Sequence, residues 1–265
     1  MPNAVVPSVL RVGRMLLPLA LRKRLGPWWH NYFAWPMPLW RLRPQTTLEF
    51  GSHRFRFVDL RARDYIEWAR RARHQAWEPD VIRFLLASIQ PGDVVLDVGG
   101  YVGPYALLAS RLAGDEGRVY SFEPDPIARR LLTQNVRANR CANVVILPTA
   151  LSDKNARMAL DGIGDSTSRV IEGSGNIEAT TLNRFCRDHD VSPDVMKMDI
   201  EGGEEAALLD EAALIALQDM RAVLLEVHPG VDYARIEATM RRAGKRPQRL
   251  AGGSPGHFHV AFTSR

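Results

Sequence analysis

Short apolar runs alternate with amphipathic segments through most of the chain after residue 78. Each apolar run is four to six residues long and rich in branched side chains, which predicts a buried strand. The runs span 93–98, 118–123, 144–147, 194–199 and 222–227. Apolar residues recur at helical spacing in segments that span 79–90, 105–112, 126–139, 204–217 and 233–243. Strands that alternate with helices predict an α/β fold with a doubly wound, mostly parallel sheet.

The two ends of the chain follow other patterns. Residues 46–59 alternate between apolar and polar around Gly51-Ser52 and predict a hairpin. Residues 64–75 predict a basic helix that leads into the main pattern. Near the other end, Arg249-Leu250 and residues 257–263 predict a terminal pair of strands.

The charge of the chain is divided unevenly between an N-terminal extension at 1–75 and a main domain at 76–265. The extension holds 14 Lys and Arg against 4 Asp and Glu, a balance of +10, and the main domain holds 21 against 26, a balance of −5. Together they give the formal net charge of +5. Because the main domain is acidic, the basic total does not indicate a nucleic-acid-binding protein, and we expect no nucleic-acid partner.

The extension is basic and rich in tryptophan, with four of the six Trp residues in 27–40. Aromatic side chains beside basic ones are typical of peripheral membrane contact, which is one alternative for residues 4–40. The other alternative is a cap that packs on the main domain or on a second copy in a homo-oligomer. Arg11, Arg14 and the neighbouring prolines argue against a membrane span or a signal peptide, so we expect a cytoplasmic protein.

Polar side chains follow the predicted strands at the points where the strands end. In a parallel sheet the carboxyl ends of the strands meet at one edge, and ligands bind just outside it. The residues at these ends are Asp97, Gly99, Glu123, Asp199, Glu201, Glu226 and His228. The sequence therefore predicts that they contribute to one site.

A glycine turn and two acids indicate the class of cofactor. The turn at 99–103 lets a ligand approach the backbone closely, and Glu123 after the next strand can accept both hydroxyls of a ribose. Asp97 precedes the first glycine, where a carboxylate repels a pyrophosphate but attracts an ammonium or sulfonium group. S-adenosylmethionine carries both positive groups and no phosphate, so the local charge favours it over NAD.

The main domain carries further motifs in order along the chain. They are 95–103, Phe122-Glu123-Pro124, Asn135, Ala150-Leu151-Ser152, Thr180-Thr181-Leu182, Lys197–Gly202 and Leu225–Pro229. In this combination, residues 77–230 resemble the FkbM family of S-adenosylmethionine-dependent methyltransferases. The resemblance implies a Rossmann-like class I methyltransferase fold with a seven-stranded sheet, parallel except for one strand near the end. It also implies methyl transfer to a hydroxyl oxygen of a sugar, a glycoconjugate or a related natural product.

The resemblance further implies which residues bind the cofactor. Asp97, Gly99 and Gly103 would line its methionine part. Glu123 would hold its ribose, and Ala150-Leu151 would flank its adenine. The full expected set is Asp97, Gly99, Gly100, Tyr101, Gly103, Glu123, Pro124, Ala150 and Leu151.

Methyl transfer to a hydroxyl requires a base or a metal ion, because the acceptor oxygen must lose its proton. We predict that His228 is the general base, with Glu226 beside it, since imidazole titrates near neutral pH. Asp199 would orient His228 or the acceptor. In a second mechanism Asp199, Glu226 and His228 hold Mg²⁺, which lowers the pKa of the acceptor hydroxyl. Glu201 and Glu204 are interpreted as acids that complement the dipole at the start of a helix.

Residues 162–175 are polar and rich in glycine. They fall between the third and fourth predicted strands of the main domain, where a segment could fold over an acceptor. The sequence leaves open whether they form a lid or an ordinary surface loop.

Two other functions stay open. An NAD-dependent oxidoreductase is disfavoured by the position of Asp97, by the imperfect glycine spacing and by the lack of a Tyr-x-x-x-Lys pair. A non-catalytic module with the cofactor fold, docked on a membrane or a partner through its Trp-rich extension, is the other alternative. Tyr101 keeps it open, because this bulky ring stands where the family usually has Asn.

Overall fold

The computed structural model of the protein describes residues 45–58, 78–162, 168–209, 211–251 and 257–264. The predicted helix at 64–75 and the Trp-rich residues 4–40 lie outside the described residues. The membrane, cap and oligomer alternatives, and the domain boundary at residue 75, therefore stay predictions. Among the described helices, none combines the length and the hydropathy that crossing a bilayer requires.

The described chain begins with a hairpin, as predicted. It consists of β1 (Gln45–Phe50) and β2 (His53–Val58), which pair antiparallel across the turn at Gly51-Ser52. Gly51 has a φ of 59°, a left-handed conformation that glycine adopts without steric cost. Phe55 and Phe57 are fully buried and belong to the same hydrophobic cluster as the main sheet, so the hairpin shares the core of the main domain.

Helices and strands then alternate. In chain order they are α1 (Pro79–Ser88), β3 (Val94–Val98), α2 (Pro104–Ala113), β4 (Arg118–Phe122), α3 (Pro126–Ala138) and β5 (Val144–Leu147). Each of these helices begins at a proline, whose fixed φ suits the first helical turn. Asp125 also caps α3, because its side chain accepts from the backbone N–H of Ile127 at 2.7 Å.

The second half of the chain is more finely divided. In order it contains β6 (Thr149–Leu151), β7 (Ala156–Asp161), β8 (Arg169–Ile171), β9 (Ile177–Thr180), α4 (Leu182–His189), β10 (Val195–Met198), α5 (Glu204–Leu208), α6 (Ala213–Asp219), β11 (Ala222–Val227), α7 (Tyr233–Arg242), β12 (Arg246–Arg249) and β13 (Phe258–Thr263). The predicted terminal pair of strands corresponds to β12 and β13.

Seven strands form the main sheet in the order β12-β13-β11-β10-β3-β4-β5. Strand β13 is antiparallel to both of its neighbours, and the pairs among β11, β10, β3, β4 and β5 are parallel. Helices pack on both faces through two large hydrophobic clusters. This confirms the expected class I methyltransferase fold, with β10 at the centre of the sheet and the carboxyl ends of β10, β3 and β4 side by side.

A second sheet of four short strands lies between β5 and α4 in the chain, and it was not predicted. Its order is β6-β9-β7-β8. Strand β8 falls inside the glycine-rich segment at 162–175, so that segment is not wholly an irregular loop. Residues 163–167 of the same segment lie outside the described residues, so the lid and the surface loop both stay open as predictions.

The single helix predicted at 204–217 is wrong, because the structure contains two short helices, α5 and α6. A straight helix that buries Glu204 and Leu208 would also turn Ile215 inward. Ile215 is instead 62% exposed, while Ala213 and Leu217 are buried. The interruption between α5 and α6 changes which face of the second helix points inward, so that the apolar residues of α6 reach the core.

Candidate active site

A cleft of about 830 Å³, including its open mouth, lies at the carboxyl ends of β3, β4 and β10. The turn after β3 and the segment after β4 form one side of it. The second sheet forms another side through Met158 of β7 and Val170 of β8. Asp199 and Glu201, which follow β10, close the cleft towards the next strand of the main sheet. The cleft therefore joins several of the strand ends that the sequence singled out.

The turn after β3 is held close to its neighbours by glycine. The N–H groups of Gly99 and Gly100 both donate to the carbonyl oxygen of Phe122, at 3.1 and 2.9 Å. A Cβ on Gly99 would lie 1.7 Å from the carbonyl oxygen of Asp199, and a Cβ on Gly100 would lie 2.2 Å from Ser121 Oγ. A larger residue at position 99 would therefore have to move the backbone, whereas at position 100 it would displace the Ser121 side chain.

The side chain of Glu123 stabilises the same turn through hydrogen bonds. Its Oε2 accepts from the N–H of Tyr101 at 2.6 Å, and its Oε1 accepts from the N–H of Asp125 at 2.8 Å. Burial raises the pKa of Glu123 to about 8, although both N–H donors oppose that shift. Each carboxylate oxygen keeps a second lone pair, so Glu123 can also accept from hydroxyls in the cleft that it lines.

Tyr101 has a φ of 45°, which is unusual for a residue with a Cβ. Its backbone N–H bond to Glu123 helps to fix that conformation. The residue lines the cleft and packs against the hydrophobic cluster of the hairpin. The bulky residue noted in the sequence is therefore accommodated within the turn rather than excluded from it.

Asp97 lies beneath the turn and is 1% exposed. Its position in β3 is opposite Ser121 of β4 on one side and Lys197 of β10 on the other. Ser121 Oγ donates to Asp97 Oδ2 at 2.7 Å, whereas Oδ1 has no hydrogen-bond partner among the described residues. Burial raises the pKa of Asp97 to about 6, against the opposing effect of Lys197. A buried acceptor without a donor favours binding of a positively charged or hydrogen-bonding group there.

The expected cofactor set thus falls into two groups. Those that line the cleft are Gly99, Tyr101, Glu123, Pro124, Ala150 and Leu151. Asp97, Gly100 and Gly103 support the turn instead, with Gly103 at the start of α2. Which part of a cofactor each residue contacts stays a prediction.

His228 follows β11 and is 6% exposed. Its Nδ1 lies 2.8 Å from Glu204 Oε1. On the other side of the ring, Nε2 lies 3.5 Å from Glu201 Oε2, 3.6 Å from Asp199 Oδ1 and 4.0 Å from Glu226 Oε1. The structure therefore brings together His228, Asp199 and Glu226, as predicted from the strand ends. The contact with Glu204 was missed, since Glu204 was interpreted as a helix-dipole acid.

The carboxylates around His228 raise its pKa. Burial alone would lower its pKa, but the hydrogen bond to Glu204 and the charges of Asp199 and Glu201 outweigh it. They raise the pKa of His228 to about 9. Burial raises the pKa of Glu201 in turn to about 7. In the absence of ligands the imidazole is therefore mostly protonated at neutral pH.

Two further histidines hold Glu226, and the sequence reasoning missed both. His257 Nε2 lies 2.5 Å from Glu226 Oε1, and His259 Nε2 lies 3.3 Å from Glu226 Oε2. These contacts keep the pKa of Glu226 below its usual range in spite of burial. The alternating histidines at 257 and 259 were a usable signal, because β13 pairs antiparallel with β11 and places His259 opposite Glu226.

The predicted Mg²⁺ ligands do not form one suitable group. Among the described residues, Asp199 clusters with Glu201 and His228, whereas Glu226 clusters with His228 and His257. Asp199 Oδ2 already pairs with the buried Lys197 Nζ at 3.0 Å, and Glu226 already accepts from two histidines. Mg²⁺ prefers an octahedral set of oxygen ligands. These contacts do not fit a Mg²⁺ site, so we derive no step through a metal ion.

Comparison with known sequences identifies relatives of the main domain. A family profile described as "Methyltransferase FkbM domain" matches residues 97–247. The hexuronic acid methyltransferase AglP of Haloferax volcanii is 33% identical over 179 residues, which are 65% of this chain and 72% of that protein. The ribosomal protein L11 methyltransferase of Bacillus cereus is 36% identical over 64 residues, 24% of this chain and 20% of that protein.

Solved structures resemble the chain more distantly. A precorrin-6y C5,15-methyltransferase from Geobacter metallireducens aligns with a TM-score of 0.44 at 13% identity, covering 69% of this chain and 87% of that one. A fibrillarin from Aeropyrum pernix with bound S-adenosylmethionine aligns with a TM-score of 0.40 at 18% identity, covering 66% of this chain and 68% of that one.

Proposed function

The chain belongs to the FkbM family of S-adenosylmethionine-dependent methyltransferases, and we propose that it methylates a hydroxyl oxygen of a sugar or glycoconjugate. The observation that carries this proposal is the position of His228, an imidazole held next to a cleft that suits the cofactor. The hexuronic acid methyltransferase among the relatives supports a sugar as the class of acceptor. The family assignment does not support an NAD-dependent oxidoreductase or a non-catalytic module.

The residues of the cleft fit S-adenosylmethionine. When bound, this cofactor supplies an electrophilic methyl group on a positively charged sulfonium centre. Beneath the turn that lines the cleft, Asp97 Oδ1 is a buried acceptor without a hydrogen-bond partner in the part of the chain that the structure describes, which favours a cationic group nearby. Glu123 offers free lone pairs to a pair of hydroxyls. Gly99 and Gly100 let the turn that lines the cleft pack closely against Asp199 and Ser121.

His228 is the proposed general base. Its Nδ1 is directed to Glu204, so Nε2 is the atom that removes the proton of the acceptor hydroxyl. Asp199 and Glu201 have oxygens within 3.6 Å of Nε2 and also line the cleft. We propose that these carboxylates hold the acceptor hydroxyl against Nε2 and stabilise the imidazolium that forms. This arrangement supplies positioning and proton removal, the two tasks that the reaction leaves to the protein.

The rate is expected to rise with pH up to about 9. His228 accepts a proton only when it is neutral, and with a pKa of about 9 about 1% of it is neutral at pH 7. The value of kcat/KM should therefore increase about tenfold per pH unit below about pH 9 and then level off. A profile from about pH 6 to about pH 10 with the cofactor saturating checks this. A profile that is flat between pH 7 and pH 9 would contradict His228 as the base.

Thermal unfolding measured across the same range serves as the control. Because the folded-state pKa of His228 is raised, its contribution to stability is fully present below its usual pKa of 6.5. That contribution is lost as the pH rises through about 9. Stability and rate should thus move in opposite directions with pH, so a rise in rate cannot come from a gain in folded protein.

Glu123→Gln is expected to weaken cofactor binding by about 10- to 100-fold. Glutamine has one acceptor oxygen, so it cannot accept from the N–H groups of both Tyr101 and Asp125 while facing the cleft. Calorimetric titration with S-adenosylmethionine measures the change. The matched control is Glu178→Gln, the same substitution at an exposed position of β9. Equal affinities for the two variants would remove Glu123 from the cofactor site.

Transfer of a labelled methyl group to a panel of acceptors tests the proposed function itself. The panel contains glycosides of neutral sugars and of hexuronic acids, with an amine and a thiol of similar size as controls. The expected product is a methyl ether on a sugar hydroxyl, identified by mass spectrometry and alkali stability. Calorimetry with S-adenosylmethionine and NAD in parallel should show binding of the first only. Methylation of the amine or the thiol alone would overturn the proposed acceptor class.

A further inference from the structure

Glu204 is the most deeply buried acid beside the proposed base. It is the first residue of α5 and is 0% exposed. Its Oε1 accepts from the backbone N–H groups of Ile200 and Gly202, both at 3.3 Å, and contacts His228 Nδ1 at 2.8 Å. The shortest of the three contacts is the one to His228. The imidazole is therefore the principal partner of the carboxylate.

The second oxygen of Glu204 has no hydrogen-bond partner among the described residues. Burying a carboxylate is costly, and a lone pair without a donor adds to that cost. The hydrogen bonds from the backbone N–H groups of Ile200 and Gly202 offset little of this cost, because both are long. An apolar residue of similar size would avoid the penalty. The carboxylate at this position is therefore accounted for by its contact with His228.

We propose that Glu204 is a positioning residue that holds the imidazole of His228 in the orientation and tautomer that present Nε2 to the acceptor. This inference rests on the proposed role of His228 as the base. An ionised carboxylate can only accept hydrogen bonds, so Nδ1 carries the proton in the bond to Glu204. When His228 is neutral, the lone pair is then on Nε2. Without Glu204 the ring is free to rotate and to protonate on Nε2 instead.

The remaining groups that face His228 lie on the other side of its ring. Asp199 and Glu201, which follow β10, approach Nε2, as does Glu226 of β11. The ring of His257, which immediately precedes β13, stacks on His228 with the centroids 5.0 Å apart. None of these groups contacts Nδ1 among the described residues. A change at Glu204 therefore alters the tautomer, whereas changes at the others alter the charge around Nε2.

Two substitutions at Glu204 test separately whether His228 needs a hydrogen-bond acceptor at Nδ1 and whether it needs the negative charge. In Glu204→Gln the amide oxygen can occupy the place of Oε1 and still accept from Nδ1–H, so the tautomer is kept and the charge is lost. In Glu204→Leu the acceptor is lost altogether. We expect kcat to fall less than about tenfold in Glu204→Gln and at least about 100-fold in Glu204→Leu. The cofactor Kd and the acceptor KM should stay within about twofold in both.

The ¹⁵N chemical shifts of the His228 ring report which ring nitrogen carries the proton. They would not change if Glu204 only stabilised the fold. Above its pKa, His228 of the wild-type protein and of Glu204→Gln is expected to be protonated on Nδ1, and His228 of Glu204→Leu on Nε2. Glu205→Leu is the matched control, since Glu205 lies in the same helix but contacts Arg235 and the backbone of Asp232. It should leave the rate and the ring shifts of the wild-type protein unchanged.

The outcomes distinguish this inference from the proposed function. If His228→Gln loses activity while Glu204→Leu keeps kcat within about twofold, the positioning role of Glu204 is overturned and the base is retained. If both variants stay active, the base assignment fails as well. Should Glu204→Leu not fold, Glu204→Gln decides, because loss of the Nδ1 proton signal there with unchanged kcat overturns the inference. Retention of that signal with kcat lowered less than about tenfold, as expected above, supports it.

Discussion

Gly99→Ala is expected to weaken the binding of S-adenosylmethionine severely. The added Cβ would lie 1.7 Å from the carbonyl oxygen of Asp199, far inside van der Waals contact, and the φ of Gly99 is 86°. The turn after β3 and the segment after β10 must therefore move apart, and each carries residues of the cleft. We expect affinity to fall at least about 100-fold, since displacements of about 1 Å near a reacting centre have effects of that size. The free energy of unfolding should also fall, by about 2–5 kcal/mol.

Gly92→Ala is the control that isolates the clash. Gly92 has a φ of 91°, which closely matches that of Gly99, but no atom lies within 4 Å of the Cβ it would gain. This variant carries the same backbone strain, about 1–2 kcal/mol, without contact at the cleft. It should bind the cofactor as the wild-type protein does. Titration calorimetry and thermal unfolding on both variants check the pair, and similar affinities would show that the turn tolerates displacement.

The strand ends that meet at the cleft could be predicted from the sequence because short apolar runs alternate with helices, which indicates a mostly parallel sheet. In a parallel sheet the carboxyl ends of the strands lie at one edge, which predicts Asp97 there, whereas its pairing opposite Ser121 and Lys197 depends on the register that the structure shows. The same rule placed Glu123, Asp199 and His228 at one edge of the sheet. These predictions needed only the alternation of short apolar runs with helices and the polarity of strand ends.

The second sheet could not be predicted in the same way. Strands β6 and β8 have three residues each, which is too short for a period of two to be distinguished from chance. The pairing of β6 with β9 joins residues that are almost thirty positions apart, as in Ala150 with Ala179. Such pairing depends on tertiary contacts rather than on local propensity. The wall of the cleft that carries Met158 and Val170 was therefore missed.

The surroundings of His228 depend on two other tertiary features. Glu204 reaches Nδ1 because the first residue of α5 lies against the segment that follows β11. The helical pattern of the sequence does not reveal this contact, so the acid was interpreted only through its interaction with the helix dipole. His257 and His259 reach Glu226 because β13 runs antiparallel to β11. The sequence predicted both strands, but not the register between them.

His228→Gln is expected to lower kcat by about 10²–10⁴-fold, the range that a positioned general base contributes. Glutamine is close to histidine in size and its amide N–H can still donate to Glu204, so the buried carboxylate keeps a partner. It has no group that titrates in the working range. The rise of rate with pH that ends near the pKa of His228 should therefore disappear together with the rate. Cofactor affinity should stay within about twofold, since His228 does not line the cleft.

Single-turnover kinetics with the cofactor and a saturating sugar acceptor measure this change at the chemical step. His53→Gln is the matched control, because it makes the same substitution at the tip of the β1–β2 hairpin. A turnover rate in His228→Gln within about threefold of the wild-type rate would show that another group removes the proton from the sugar hydroxyl. The candidates would be Asp199 and Glu201, whose carboxylates lie within 3.6 Å of Nε2. Burial raises the pKa of both groups, so each would be a stronger base than an exposed carboxylate. A carboxylate base at Glu201 would also move the rise in rate to near its pKa of about 7, which the same pH profile detects.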